Sequence, residues 1–82
     1  MKSAMTLRVL TPKGITLETS CELITLPALD GSIGIMHGHA AMVVALCPGQ
    51  GSYHQGGDKQ VFAVTSGLAE VSGDQVVVLM EE

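Results

Sequence analysis

Positive charge is scarce in this chain. Arg8 is its only arginine and Lys2, Lys13 and Lys59 are scattered, so no basic stripe exists to neutralise phosphates and no nucleic-acid partner is expected. Aromatic residues make up only 2% of the sequence, which leaves the core to Val, Leu, Ile, Ala and Met. No apolar run reaches the ~18 residues of a membrane-spanning helix. The N-terminal MKSAMTLRVL reads straight into a strand pattern where a secretory signal would carry a longer apolar stretch, so a soluble, cytosolic chain is expected. Cys21 and Cys47 are far apart and outside any C-x-x-C pair; they read as two reduced thiols behaving as small hydrophobes.

What is present is a strongly aliphatic chain of 82 residues, 46% hydrophobic, 15% charged and of net charge −4. That length suits one small domain over residues 1–82, near the lower limit of what a hydrophobic core holds without staples. Average soluble domains carry roughly 25% charged residues, so part of this surface is expected to be apolar and covered by something else.

Met5, Leu7 and Val9 alternate with Thr6, Arg8 and Leu10, the period of a half-buried strand over about residues 4 to 11. Thr11-Pro12-Lys13-Gly14 carries proline and glycine where a type I turn wants them, and Ile15 with Leu17 resumes the alternation as a hairpin. Glu18-Thr19-Ser20 reads as a polar break before a third strand over Cys21–Ala28. Asp30-Gly31 is a tight-turn signal, and Ser32–Met36 a short strand in which Gly34 marks a bulge or close backbone approach. Ala40–Leu46 is too short for a helix and reads as a buried strand. Ser52–Gln55 reads as an edge strand, followed by Gln60–Ser66, Leu68–Val71 and Gln75–Met80. Short strands with frequent turn signals, and no helix-length amphipathic pattern, predict an all-β fold: a small antiparallel sandwich or flattened barrel of about eight to ten strands. Ala40–Leu46 and Val76–Met80 are apolar on both faces, which implies a covering partner.

Leu26–Leu46, LPALDGSIGIMHGHAAMVVAL, concentrates the costly glycines Gly31, Gly34 and Gly38 and two of the three histidines. His37 and His39 would share a face if they lay on a strand, but two imidazoles do not complete a zinc centre. The glycines open no helix after a strand, so they lack the context of a dinucleotide or phosphate loop. Ser66 has no G-x-S-x-G frame. Asp30, Asp58 and Asp74 fall in turns, where aspartate bonds nearby backbone. No catalytic residues, no resident metal and no cofactor are therefore expected.

The segment DGSIGIMHGHAAMVVALCPG closely resembles the D-G-x-x-G-x-x-x-G-H-A-x-x-x-x-x-L-x-P-G pattern of the epsilon subunit of the F-type ATP synthase. MTLRVLTPKGI, LITLPA and FAVTSGLAEVSGDQVVVL resemble the same family in the same order, so the likeness covers nearly the whole chain. It implies an N-terminal β-sandwich domain of a non-catalytic rotor subunit on the central stalk, which docks the gamma subunit onto the c-ring and couples proton or sodium flow to ATP synthesis. It also implies a peripheral location on the cytoplasmic face of the energy-transducing membrane, the bacterial inner membrane in particular. By resemblance Leu29, Asp30, Gly31, Ser32, Ile33 and Gly34 form a loop facing the c-ring, and Met36, His39, Ala41, Met42, Val44, Val78 and Met80 lie towards gamma. Ser32 stands where many relatives carry an acidic residue; His37 and Ala41 replace prolines, which loosens the turns. The family's C-terminal helical hairpin has no counterpart in the 82 residues, so inhibition of ATP hydrolysis and nucleotide binding are not expected of them. The competing reading is a stand-alone binding module, with a metal held through His37 and His39.

Overall fold

Alternation along the sequence becomes alternation of inward and outward side chains in a computed structural model, which describes residues 4–81. The single domain expected over 1–82 thus extends past the described residues at both ends. Nine strands follow one another: β1 (Met5–Thr11), β2 (Gly14–Cys21), β3 (Leu23–Ala28), β4 (Gly31–Met36), β5 (Met42–Leu46), β6 (Gly49–Gln55), β7 (Asp58–Val64), β8 (Gly67–Ser72) and β9 (Gln75–Met80). No helix among the described residues is long and apolar enough to cross a membrane.

Turn chemistry sets the hairpins. Gly56 and Gly57 both take positive φ between β6 and β7, as a two-residue turn matched to strand twist requires. The hairpin pairs fall into two layers. One has the order β2-β1-β9-β8-β5, and in the other β4 and β6 flank β3 while β7 pairs with β6. A single residue pair, Ala28 opposite Leu46, carries the pairing from one layer to the other. The architecture is the expected small sandwich, with one exception to the antiparallel rule: β1 and β9 run parallel.

Between the layers lie Met5, Leu7, Val9, Val44, Leu46, Ala69, Val71, Val76 and Val78 from the larger sheet and Ile24, Leu26, Ile35 and Val64 from the smaller, with Cys21 at the end of β2. Fully burying aliphatic side chains of this size contributes roughly 1.5–3 kcal/mol each.

Several local expectations change. The polar run Glu18–Ser20 does not break the chain, because it pairs along β1 with Glu18 and Ser20 outward and Thr19 half-buried in the phase of Leu17 and Cys21; the Arg8 guanidinium donates to the Glu18 carboxylate at 2.6 and 3.0 Å. β6 is an interior strand between β3 and β7 and not an edge. Gly34 forms no bulge: the register through β4 is continuous, and a side chain there would meet only Leu23 Cδ1 at 4.0 Å. The irregularity lies instead between Val9 and Leu10. The close approaches are elsewhere. A Cβ on Gly67 would lie 1.9 Å from the Leu79 carbonyl oxygen, and one on Gly51 would lie 2.7 Å from the Phe62 ring.

Candidate functional site

The β3–β4 hairpin projects at one edge of the sandwich. Pairing of Ala28 with Gly31 leaves Leu29 and Asp30 as the turn, and Gly31 takes φ +114°, which an L side chain rarely adopts. Leu29 is 70% exposed at the tip, where an unpartnered leucine costs hydration free energy. Ser32 and Gly34 face outward from β4, whereas Ile33 turns inward and packs against the core. The hairpin and β5 enclose an open groove of about 470 Å³, lined by Ala28–Ile33 and Met42–Ala45. Its walls are mostly aliphatic, with Asp30 the one ionisable lining group. The shape suits an apolar, close-fitting partner and provides no acid–base pair for chemistry.

His37 and Gly38 form the turn that follows β4, with Gly38 at φ +85° and the His39 N–H donating to the Met36 carbonyl at 3.0 Å. The His39 Nδ1 lies 2.8 Å from the Ala40 carbonyl oxygen. A carbonyl only accepts, so Nδ1 carries the proton in this contact. The two imidazoles therefore sit in a turn and not on one strand face. Among the described residues, no group of three His, Cys, Asp or Glu side chains is placed to hold a metal ion.

The remaining expected contact residues divide by strand phase. Met36 is 61% exposed and Ala41 is exposed, while Met42 and Met80 are half-buried against the core. Val44 and Val78 are core residues, 8% and 0% exposed, so their side chains are taken up by internal packing. The outward positions on those strands are Val43, Ala45 and Leu79. The strand register then reveals a feature that sequence reasoning missed: Ala45, Leu68, Leu79, Leu10 and Ile15 stand opposite one another on five successive strands, an apolar row across the outer face of the larger sheet. Leu68, Leu79 and Ile15 in that row are 45%, 39% and 56% exposed. QVVVLM has no apolar–polar alternation, so only the pairing decides which of its residues faces out.

The two thiols occupy different environments. Both are free. Burial, with a smaller contribution from the Glu22 carboxylate, pushes the Cys21 thiol up from its ordinary 9.0 to about 11. Cys47 is half-buried beside the β3–β4 hairpin, its Sγ–H donating to the Ala28 carbonyl at 3.4 Å.

Comparison with known proteins agrees with the architecture. A family model described as "ATP synthase, Delta/Epsilon chain, beta-sandwich domain" matches residues 4–82. The chain is 40% identical over 76 residues to the ATP synthase epsilon chain of Prochloron didemni, covering 93% of this chain and 56% of that protein. It is 35% identical over 78 residues to the chloroplastic epsilon chain of Phaeodactylum tricornutum, covering 95% and 59%. The chain thus spans little more than half the length of these relatives. A chain in the structure of the Euglena gracilis mitochondrial ATP synthase superposes with a TM-score of 0.90 at 24% identity, covering all of this chain and 53% of that one. A chain from the Tetrahymena thermophila mitochondrial ATP synthase central stalk and c-ring gives a TM-score of 0.79 at 19% identity, covering 99% and 66%. At these identities the two structures establish a shared fold.

Proposed function

The chain belongs to the ATP synthase delta/epsilon-chain β-sandwich family, and on that premise we propose that it is a non-catalytic central-stalk subunit of an F-type ATP synthase, docking the gamma subunit onto the c-ring. In that role it couples proton or sodium flow to ATP synthesis as a mechanical element. It sits at the membrane periphery, on the cytoplasmic face.

The observation that carries this reading is the exposed apolar edge within the family-matched residues: Leu29, 70% exposed at the tip of a hairpin whose groove is mostly aliphatic. A rotor subunit must transmit torque without slipping. Broad apolar contact between fixed backbones does this better than surface ion pairs, whose median worth is roughly 0–1 kcal/mol each. Leu29, Asp30, Gly31, Ser32, Ile33 and Gly34 are proposed to meet the c-ring. The turn region with Met36, His39, Ala41 and Met42, continued by outward Val43 and Ala45, is proposed to lie towards gamma.

Gel filtration with purified gamma, and with a synthase depleted of its own epsilon subunit, tests the proposal. The expected results are co-elution with both and recovered coupling in the depleted enzyme. Failure to co-elute with either would overturn it.

A further inference from the structure

The docking hairpin leaves the sandwich where β3 pairs with β5 across the two sheets. Ala28 and Leu46 form a pair flanked by two hydrogen bonds: the Leu29 N–H donates to the Ala45 carbonyl at 3.4 Å, and the Cys47 N–H donates to the Pro27 carbonyl at 3.1 Å. The Cys47 thiol adds a third, to the Ala28 carbonyl at 3.4 Å. Gly49 completes the grip from below, because its missing side chain lets the Pro27 ring close on the backbone; a Cβ there would stand 3.1 and 3.3 Å from Pro27 Cβ and Cγ. Pro48 fills the corner between Cys47 and Gly49 and cannot extend either strand through an N–H of its own. The corner Leu46–Gly49 therefore wraps the base of the hairpin at Pro27–Leu29, directly before the turn residues.

A projecting two-stranded hairpin has only its own ladder to set its angle to the body of the domain, and isolated hairpins are marginally stable in water. The geometry points to the β5–β6 corner as the splint that fixes the pose of the docking loop, with Cys47 as its positioning residue, an assignment that rests on the docking role given above. Cys47 touches no partner in this scheme. It acts through the Pro27 and Ala28 carbonyls, and the loop that follows is held ready to bind at a lower entropic cost at the moment of docking.

Three variants of the full chain test this: Cys47→Val, which keeps the bulk but removes the donor, Cys47→Ser, which keeps a donor, and Gly49→Ala, which pushes on Pro27. Hydrogen exchange of the Leu29–Gly34 amides and retention on c-ring and on gamma are measured together. Cys47→Val and Gly49→Ala are expected to speed loop exchange about threefold or more and to weaken c-ring retention by a similar factor, leaving gamma retention unchanged. Cys47→Ser should restore both. Unchanged loop exchange in both Cys47→Val and Gly49→Ala would overturn the splint, as would a Cys47→Ser variant that behaves like Cys47→Val. If the unmodified chain is not retained on the c-ring, the docking role fails while loop exchange still decides whether the corner is a splint.

Discussion

At one edge of the sandwich β4 and β5 face each other across the aliphatic groove beneath Leu29. At the other, β2 and β7 face each other around Val9, Leu17, Tyr53, Phe62 and Met80. Both are seams between unpaired strand edges, which a sheet protein must cover or blunt. The second is a smaller groove of about 240 Å³ that is partly filled from within: Phe62 lies over Gly51, its ring centroid 6.2 Å from that of Tyr53, and the Gln55 amide reaches across to Thr19 Oγ1 at 2.7 Å and the Ser20 carbonyl at 2.6 Å. The β4–β5 seam has no aromatic filler and no side-chain strap of this kind among the described residues; backbone pairing at Ala28 and Leu46 holds its base and its tip stays open. One edge is partly filled by its own side chains and the other exposes Leu29, so, on the proposed docking role, substitutions at the two edges should separate stability from docking.

The largest loss of stability is expected from Phe62→Ala, which enlarges the partly filled seam and removes both the cover of Gly51 and the contact with Tyr53. Denaturant unfolding should give a loss of about 2 to 3 kcal/mol for this half-buried ring, with docking to gamma and c-ring retained wherever the chain is folded. A loss confined to docking would break the comparison.

A matched glycine pair sharpens it. Gly51→Ala drives a methyl to within 2.7 Å of Phe62 Cζ and should cost about 1 to 2 kcal/mol. Gly34→Ala at the β3–β4 edge meets nothing nearer than 4.0 Å, so it should change stability by no more than about 0.5 kcal/mol.

The two cysteines extend the contrast to pH. With its thiol raised to about 11 from 9.0, native Cys21 binds its proton more tightly than in the unfolded chain. Its contribution to stability is therefore whole below pH 9 and is lost as pH climbs towards 11. Urea midpoints should fall over that window, and Cys21→Val should flatten the decline. At pH 8 a thiol reagent should label half-buried Cys47 well before Cys21.

The smallest effect on stability belongs to Leu29→Asp, within about 0.5 kcal/mol at so exposed a site. The same substitution should reduce c-ring retention at least tenfold. Equal retention by the variant would show that the hairpin tip is not a contact.

Much of this architecture is legible in the sequence, because its causes are local. Met5, Leu7 and Val9 alternate cleanly, and the glycine turns at 14, 31, 56–57 and 73 separate strands where expected. The polar run Glu18–Ser20 misleads because its partners Arg8, Leu7 and Thr6 are brought opposite only by the hairpin. The phase of MVVAL and QVVVLM is hidden for the same reason, so Val44 and Val78 look like surface while Val43 and Leu79 carry the exposure. Glycines invite attention where they cluster, at 31, 34 and 38, yet those the packing cannot replace are Gly51 and Gly67, each set by a residue far along the chain. The turn at Asp30-Gly31 is readable from its pattern, whereas the corner that packs against the base of the hairpin depends on a contact between Ala28 and Leu46 that no spacing rule supplies.

The most direct test places a photoreactive phenylalanine analogue at position 29 in the chain assembled with the rest of the synthase, followed by irradiation and identification of the captured subunit. Capture of the c-ring subunit is the predicted result. Capture of gamma alone, or of no subunit from a fully assembled complex, would contradict it.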